Sequence, residues 1–464
     1  MNASAPTPVT SAEDVLGVGR ALGVLDDPPR MAARATELVH ALFPICRSIT
    51  GNGVRETLAH VARYIPLVNH EVPSGTPVLD WEVPREWNVR DAYIADMSGR
   101  RVVDFNANNL HLMSYSVPVR ARMTLDALRA HLFTRPDQPD WIPYRTSYWR
   151  EAWGFCLSQR QLDTLPEGEY DVVVDTTLEP GHLTYGECVI RGRSAQEVLI
   201  FTHVCHPSLC NDNASGIAAA AVLVQEIARQ TPHLTYRFVF APGTIGAITW
   251  IARNADVLPR VRAGLSIGSL ADSGPLTFKR SRRGDTEIDA ISAAVVRSLD
   301  EHARIEDFSP YGYDERQFCS PGVDLAFGRL SRSGHDAFAQ YHTSADNLDL
   351  LDPDAYAQSL DALMRIFATL DGNRRLRNLA PVGEPRLGKR GLFRSTGGTS
   401  PGEFEHALLW VLNQSDGTHG VADIAAKSGL PRASIEAAAR ALIAAGLVAP
   451  IDEDHDMPQQ EIQG

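Results

Sequence analysis

The stretch Phe201-Thr-His-Val-Cys-His-Pro-Ser-Leu-Cys-Asn-Asp-Asn-Ala-Ser-Gly216 decides how this chain is read. It follows Val198-Leu-Ile-Phe201, an apolar run of the length and composition of a buried parallel strand. It leads into Ile217-Ala-Ala-Ala-Ala-Val-Leu-Val-Gln-Glu-Ile227, whose small residues predict a buried helix. Between them stand two histidines, an aspartate and the turn-forming Asn213 and Gly216. A strand ending in His and Asp at the mouth of an α/β sheet is where metal-assisted hydrolases carry their ligands. Imidazole and carboxylate together suit a borderline ion such as zinc.

A lone histidine in such a loop would read as packing or solvation. A second segment, Tyr341-His-Thr-Ser-Ala-Asp-Asn-Leu-Asp-Leu-Leu-Asp352, shifts the balance. It too opens on a histidine and then starts a helix, with Ser344, Asp346 or Asn347 as candidate N-caps.

The 464 residues exceed what one hydrophobic core usually holds, so two or three domains are expected. A composition of 44% hydrophobic residues is that of an ordinary globular protein. A net charge of −13 argues against unaided binding to a nucleic-acid backbone. Six cysteines without CxxC pairs predict reduced thiols and a cytoplasmic location. No apolar run approaches the ~18–20 residues that span a bilayer, which predicts no membrane partner. The first residues lack the basic and apolar regions of a secretory signal.

Residues 1–30 are expected to be mobile, with one short helix around Ala12–Leu25. Helices are predicted over Met31–Leu42 and Val54–Ile65, and a strand over Val68–Val72. Residues 79–184 change character: Trp, Pro and β-branched residues predict an inserted, mainly β subdomain. Its strands include Asn109–Val119 and Tyr170–Asp175, and its aromatic residues are candidates for a substrate-side wall. From Thr184 strands alternate with helices: Glu197–Phe201, Ala214–Gln230, Tyr236–Phe240, Ile245–Arg253, Ala263–Ile267, Ile288–Leu299, Asp324–Phe327 and Pro353–Leu370. This alternation predicts a doubly wound, mostly parallel α/β sheet built from residues 31–78 and 185–375. Residues 376–400 read as a linker, and 401–455 as a winged helix. Its second helix, Arg432–Ala445, is mostly alanine, which favours docking or homo-oligomerisation over DNA reading.

Asn-Asp-Asn-Ala-Ser-Gly after a strand histidine, followed later by His-Thr-Ser-Ala-Asp-Asn, resembles the co-catalytic zinc aminopeptidases. Further strings sharpen the likeness. They are Phe43-Pro-Ile-Cys-Arg-Ser-Ile-Thr-Gly51, Asp80-Trp-Glu-Val-Pro-Arg-Glu-Trp-Asn88, Asn109-Leu-His111, Trp153-Gly-Phe-Cys156, Leu183-Thr-Tyr-Gly-Glu187, Cys205-His-Pro-Ser208 and Asp314-Glu-Arg-Gln317. With the winged-helix tail, residues 30–455 resemble bacterial aminopeptidase-like proteins of the zinc-peptidase superfamily, associated with polysaccharide or secondary-metabolite biosynthesis.

The resemblance implies one or two zinc ions. It places the first-strand histidine on His206, with His203 as the competing choice and otherwise a substrate contact. It places the bridging carboxylate on Asp212, a third ligand on Asp272 and the last histidine on His342. Zinc would lower the pKa of bound water to ~7 and polarise an amide carbonyl. The superfamily's glutamate-bearing turn falls on Pro242-Gly-Thr-Ile-Gly246, so Gly243 stands where the glutamate is expected. Glu315, beside Asp314, and Glu187 are the acidic candidates to replace it. The basic cluster Lys279-Arg-Ser-Arg-Arg283, with Lys279, Arg280 and Arg282 foremost, follows Asp272 closely enough to hold a substrate anion, or else it is a solvated loop.

The expectation is a metal-dependent hydrolase of aminopeptidase or amidase type, acting on a small amino-acyl or peptide-like metabolite. Gly243 leaves open a repurposed non-hydrolytic enzyme or an inactive binding protein on the same scaffold.

Overall fold

The computed structural model describes residues 22–334, 336–393 and 402–451. Most of the expected helix Ala12–Leu25 lies outside the described residues, and residues 22–25 are not helical.

An eight-stranded mixed sheet forms the centre. Its strands are β1 (Val68–Pro73), β2 (His182–Ile190), β3 (Glu197–His203), β4 (Thr235–Ala241), β5 (Val261–Ile267), β6 (Thr277–Lys279), β7 (Arg304–Glu306) and β8 (Phe327–Ser331). Across the sheet the order is β1-β2-β4-β3-β5-β8-β6-β7. The inner four, β4, β3, β5 and β8, are mutually parallel. Antiparallel pairs border them, β2 against β4 and β6 against β8. Every residue of β3 is buried, as a strand covered on both faces requires. Its single charge, Glu197, is met by Arg237 at 2.6 Å and Arg260 at 3.2 Å.

One face carries α1 (Pro28–Leu42), α2 (Asn52–Ala62), α3 (Gly216–Ala228), α5 (Glu287–Leu299) and α6 (Pro353–Asp371), which share one apolar core. The run Ala218–Ala221 lets α3 lie close to the sheet. On the other face lie α4 (Ile245–Arg253), the turn Glu315–Phe318 and the segment between β1 and β2. Trp87, Ile94 and Val172 of that segment share a core with Phe201, Val239 and Trp250.

The segment leaves the main sheet after Pro73 and re-enters at His182, where the two residues pair. Residues 182–184, read from sequence as part of the insert, therefore belong to β2. The insert has its own four-stranded antiparallel sheet, ordered Arg101–Asp104, Glu86–Asp96, Glu169–Glu179, Val119–Thr124. The strand expected over Asn109–Val119 is instead a turn and loop that bury Leu110, His111 and Tyr115. Asn108 caps the turn by accepting the Leu110 N–H at 2.9 Å. Likewise β8 starts at Phe327, three residues beyond the expected strand start at Asp324, which instead has positive φ and pairs with Arg282 and Arg283.

The C-terminal unit packs Glu403–Gln414, Val421–Ser428 and Arg432–Ala444 on a three-stranded sheet. The centre of that sheet is Arg375–Asn378, all but its first residue within the stretch read as linker. Only Leu376 in it is buried, so its composition imitates a linker. No helix among the described residues is long and apolar enough to cross a membrane.

Candidate metal centre

The carboxyl ends of the parallel strands converge on one cavity of about 370 Å³. Its lining includes His203, His206, Gly243, Asp314 and His342. His203 is the last residue of β3, and Pro242–Thr244 follow β4 directly. This is the crevice where open α/β sheets place ligands.

Asp212 is fully buried at the centre, ringed by three imidazoles. His203 Nε2 lies 2.7 Å from Asp212 Oδ1, His342 Nε2 lies 3.0 Å from Oδ2, and His206 Nε2 lies 3.8 Å from Oδ2. Donor atoms of His203, His206 and Asp212 all fall within 4.8 Å of one another. His203 and His206, which sequence reading set against each other, thus sit side by side. Burial drives the His206 pKa well below its usual value, against the pull of Asp212, so its imidazole is neutral as a metal ligand must be. Burial also works against the Asp212 charge, but His206, His203 and His342 hold its pKa well below the carboxylate range. A buried carboxylate facing only imidazoles lacks a permanent cation, and this donor set fits a divalent ion such as zinc.

The surroundings orient these groups. Asp346 accepts the N–H groups of Asn211 and Asp212. Asn213 Nδ2 donates to Thr202 Oγ1 and to the His203 carbonyl. The Tyr144 ring stands edge-on to both His206 and His342, at 5.2 and 5.1 Å between centroids. Buried Arg47 donates from Nε to the His206 carbonyl at 2.8 Å, which gives the Phe43–Gly51 string its purpose. Four non-glycine residues in the surrounding loops have positive φ: Ser208, Thr244, Ser269 and His342. Each such conformation costs about 1–3 kcal/mol and is typical of functional sites.

Sequence reading passed over Arg47, Tyr144 and Asn213 as site residues, and took Asp346 only as a candidate cap. Position within the quoted strings was the one signal for Arg47 and Asp346.

Asp272 is not part of the cluster. Its carboxylate accepts from Asn211 Nδ2 at 2.8 Å, Gly274 N at 2.7 Å and Ser333 Oγ at 2.7 Å, so its role here is to brace loops. The residue just past β5 that approaches His203 is Gly268, where an added Cβ would stand 3.4 Å from His203 Cε1.

Of the acidic pair, Asp314 lines the cavity and Glu315 does not. Thr244 N donates to Asp314 Oδ1 at 2.6 Å, and a Cβ on Gly243 would lie 3.8 Å from Oδ2. Burial raises the Asp314 pKa to about 6, against the opposing pull of His203 and the Thr244 N–H. Glu315 is buried against Lys279, 2.9 Å from its Nζ. Lys279 also donates to the Ser309 and Tyr311 carbonyls and is spent on holding that loop. Arg280 bonds Gly284, and Arg282 pairs with Asp324 at 2.7 Å. The basic cluster follows β6 near the sheet's far edge, so none of it lines the cavity. Glu187 is likewise engaged, by Arg237 at 2.7 Å.

A parallel sheet centre with histidines and an aspartate on the loops at its carboxyl ends defines an aminopeptidase-like α/β protein carrying a C-terminal winged helix. Residues 36–373 match DUF4910, a domain of unknown function, and the chain belongs to that family. Residues 374–450 match a winged helix-turn-helix family. A Clostridium acetobutylicum protein, named for polysaccharide biosynthesis and an aminopeptidase-like domain, is 49% identical over 406 residues, 87% of this chain and 93% of its own length. A solved C. acetobutylicum structure described as a peptidase superimposes with a TM-score of 0.81 at 46% identity, covering 92% of this chain and 98% of that one. The zinc aminopeptidase BSAP of Bacillus subtilis shares the fold, with a TM-score of 0.55 at 10% identity over 74% of this chain and 95% of its own.

Proposed function

We propose that the chain is a metal-dependent hydrolase of aminopeptidase or amidase type, acting on a small amino-acyl or peptide-like metabolite in a biosynthetic pathway. The observation that supports this most is the ring of His203, His206 and His342 around buried Asp212 on the floor of a substrate-sized cavity. These four residues would hold one or two zinc ions, with Asp212 presenting a different oxygen to His203 than to the other two histidines. Bound zinc supplies carbonyl polarisation and a water acidified to a pKa of ~7.

Asp314 takes the place of the glutamate absent at Gly243. With Oδ1 engaged by the Thr244 N–H, Oδ2 is the atom that accepts a proton from the attacking water and returns it to the leaving amine. Tyr144 and Tyr148, joined through their hydroxyls at 2.6 Å, wall the cavity and exclude solvent.

Gly243 also favours a second reading, a non-hydrolytic reaction or simple binding on the same scaffold. Metal analysis of the purified protein, followed by assays on aminoacyl amides with wild type and Asp314→Asn, separates them. Bound metal with Asp314-dependent hydrolysis supports the hydrolase, while bound metal with no turnover on any amide supports the alternative.

A further inference from the structure

The metal cavity adjoins a larger groove of about 910 Å³ in the insert, and Arg145, Thr146 and Tyr148 line both. Trp149, Arg150 and Trp153 continue the groove away from the metal cluster. Trp149 is exposed, with its indole edge-on to Trp81 at 5.0 Å.

Most other arginines of the insert are already paired. Arg85, Arg90, Arg101, Arg122, Arg135 and Arg160 each hold a carboxylate in an ion pair. Arg145 and Arg150 are exposed, and neither lies within ion-pair distance of a carboxylate among the described residues. The groove's one acidic residue, Glu151, is taken by Arg85. Two uncompensated guanidinium groups thus flank the groove of a protein with a net charge of −13. A guanidinium left unpaired at a cavity presents a planar fork of donors that matches carboxylate or phosphate oxygens.

The chain also fixes where Arg145 stands relative to the reaction. Tyr144 N donates to the His342 carbonyl at 2.8 Å, and Ser114 N donates to the Arg145 carbonyl at 2.9 Å. The backbone that carries the guanidinium is therefore tied to the loop that carries a cluster histidine. The Arg145 backbone is thereby fixed relative to the cluster histidine.

We propose that the groove is the subsite for an anionic arm of the substrate, a phosphate or carboxylate held by Arg145 and Arg150, with the aromatic wall of Trp149 and Trp153 packing the connecting segment. The inference deepens the functional reading above and rests on it for the position of the reacting group. Arg145 then selects substrates that carry the charge at one distance from the scissile bond.

The test is a titration of the full-length, metal-containing protein at low ionic strength, followed by tryptophan fluorescence. Inorganic diphosphate is the phosphate probe and succinate the carboxylate probe. Saturable binding is expected, weakened at least tenfold by Arg145→Gln and by Arg150→Gln, partly restored by Arg145→Lys, and unchanged by Arg90→Gln. Tighter binding of diphosphate names a phosphate arm, and tighter binding of succinate a carboxylate. Failure of both probes to bind the wild type overturns the proposal, as does Arg145→Gln binding like wild type. Anion coordinated by the metal alone would not respond to the arginine variants. Because the readout needs no turnover, a failure of the hydrolase reading leaves this measurement intact.

Discussion

Asp346 holds Asp212 in place through the backbone: its Oδ2 accepts the Asp212 N–H at 2.9 Å while its Oδ1 accepts that of Asn211 at 2.6 Å. The loop that delivers His342 therefore also shapes the turn that presents the central carboxylate. Burial pushes the Asp346 pKa up to about 7, even though both amide donors pull it down. The neighbouring Asp212 charge adds to that rise, and the two peptide N–H groups offset it in part.

Asp346→Ala should leave those two buried N–H groups unmet, at about 1–3 kcal/mol each. With the turn loosened, metal affinity should fall by about 10–100-fold, the usual loss when a group supporting a ligand is removed. Competition against a chromogenic chelator measures the affinity, and denaturant unfolding the stability. Unchanged metal affinity would refute the positioning role.

His342→Ala and Asp272→Ala should separate cleanly. The first removes an imidazole 3.0 Å from Asp212 and should abolish metal retention in a folded protein. The second removes a loop brace, so metal content should persist while stability drops by about 2 kcal/mol or more. Metal analysis of both purified variants, with thermal melts, checks the contrast.

Asp314→Asn should lower turnover by about 10²–10⁴-fold without loss of metal, as expected for removal of a general base. Gly243→Glu should fold, because Gly243 has no positive φ and its added Cβ would meet nothing nearer than Cys205 Sγ at 3.3 Å. Placing a second carboxylate beside Asp314 should tighten metal binding. Retained turnover in Asp314→Asn would move the base elsewhere.

Lys279→Met is expected to cost about 3–5 kcal/mol, because it strands Glu315 as a buried charge. Restoring neutrality with Lys279→Met/Glu315→Gln should recover much of that loss. KM for any substrate found should be unaffected. A raised KM at unchanged stability would return Lys279 to the substrate site.

Acid should unfold the protein partly through Glu86. Arg55 grips it with two hydrogen bonds, at 2.8 and 2.7 Å, and holds its pKa down to about 2 against the effect of burial. A depressed carboxylate pKa contributes stability above the unfolded value near 4.5, and that contribution is lost as pH falls from there toward 2. The pair is partly exposed, so about 1–2 kcal/mol is expected after solvent screening. Glu86→Gln should destabilise the protein at pH 7 and flatten the wild-type loss between pH 4.5 and 2 in denaturant titrations.

Local pattern was enough for much of the fold. The short apolar, partly β-branched run Val198–Phe201 fits a strand covered on both faces, and Ile245–Arg253 was placed to the residue. Two of the strands that sequence reading missed or displaced have burial that is not purely apolar. Phe327–Ser331 buries an arginine, and Arg375–Asn378 buries one leucine between charges. Both become strands because neighbours from distant parts of the chain pair with them.

The site divides along the same line. Residue type and order, joined to the resemblance to zinc aminopeptidases, pointed to His206 or His203, to Asp212 and His342, and to Gly243 in place of an expected glutamate. Whether a given carboxylate reaches the cluster was decided by tertiary structure. Asp272 lies only a few residues beyond β5, yet Asn211 and Ser333 hold its carboxylate away from the histidines. Asp314 and Glu315 are neighbours in sequence, but one lines the cavity beside Gly243 and the other is buried on Lys279. Adjacent side chains leave a tight turn in different directions, and only the packing around that turn determines which of them meets the substrate.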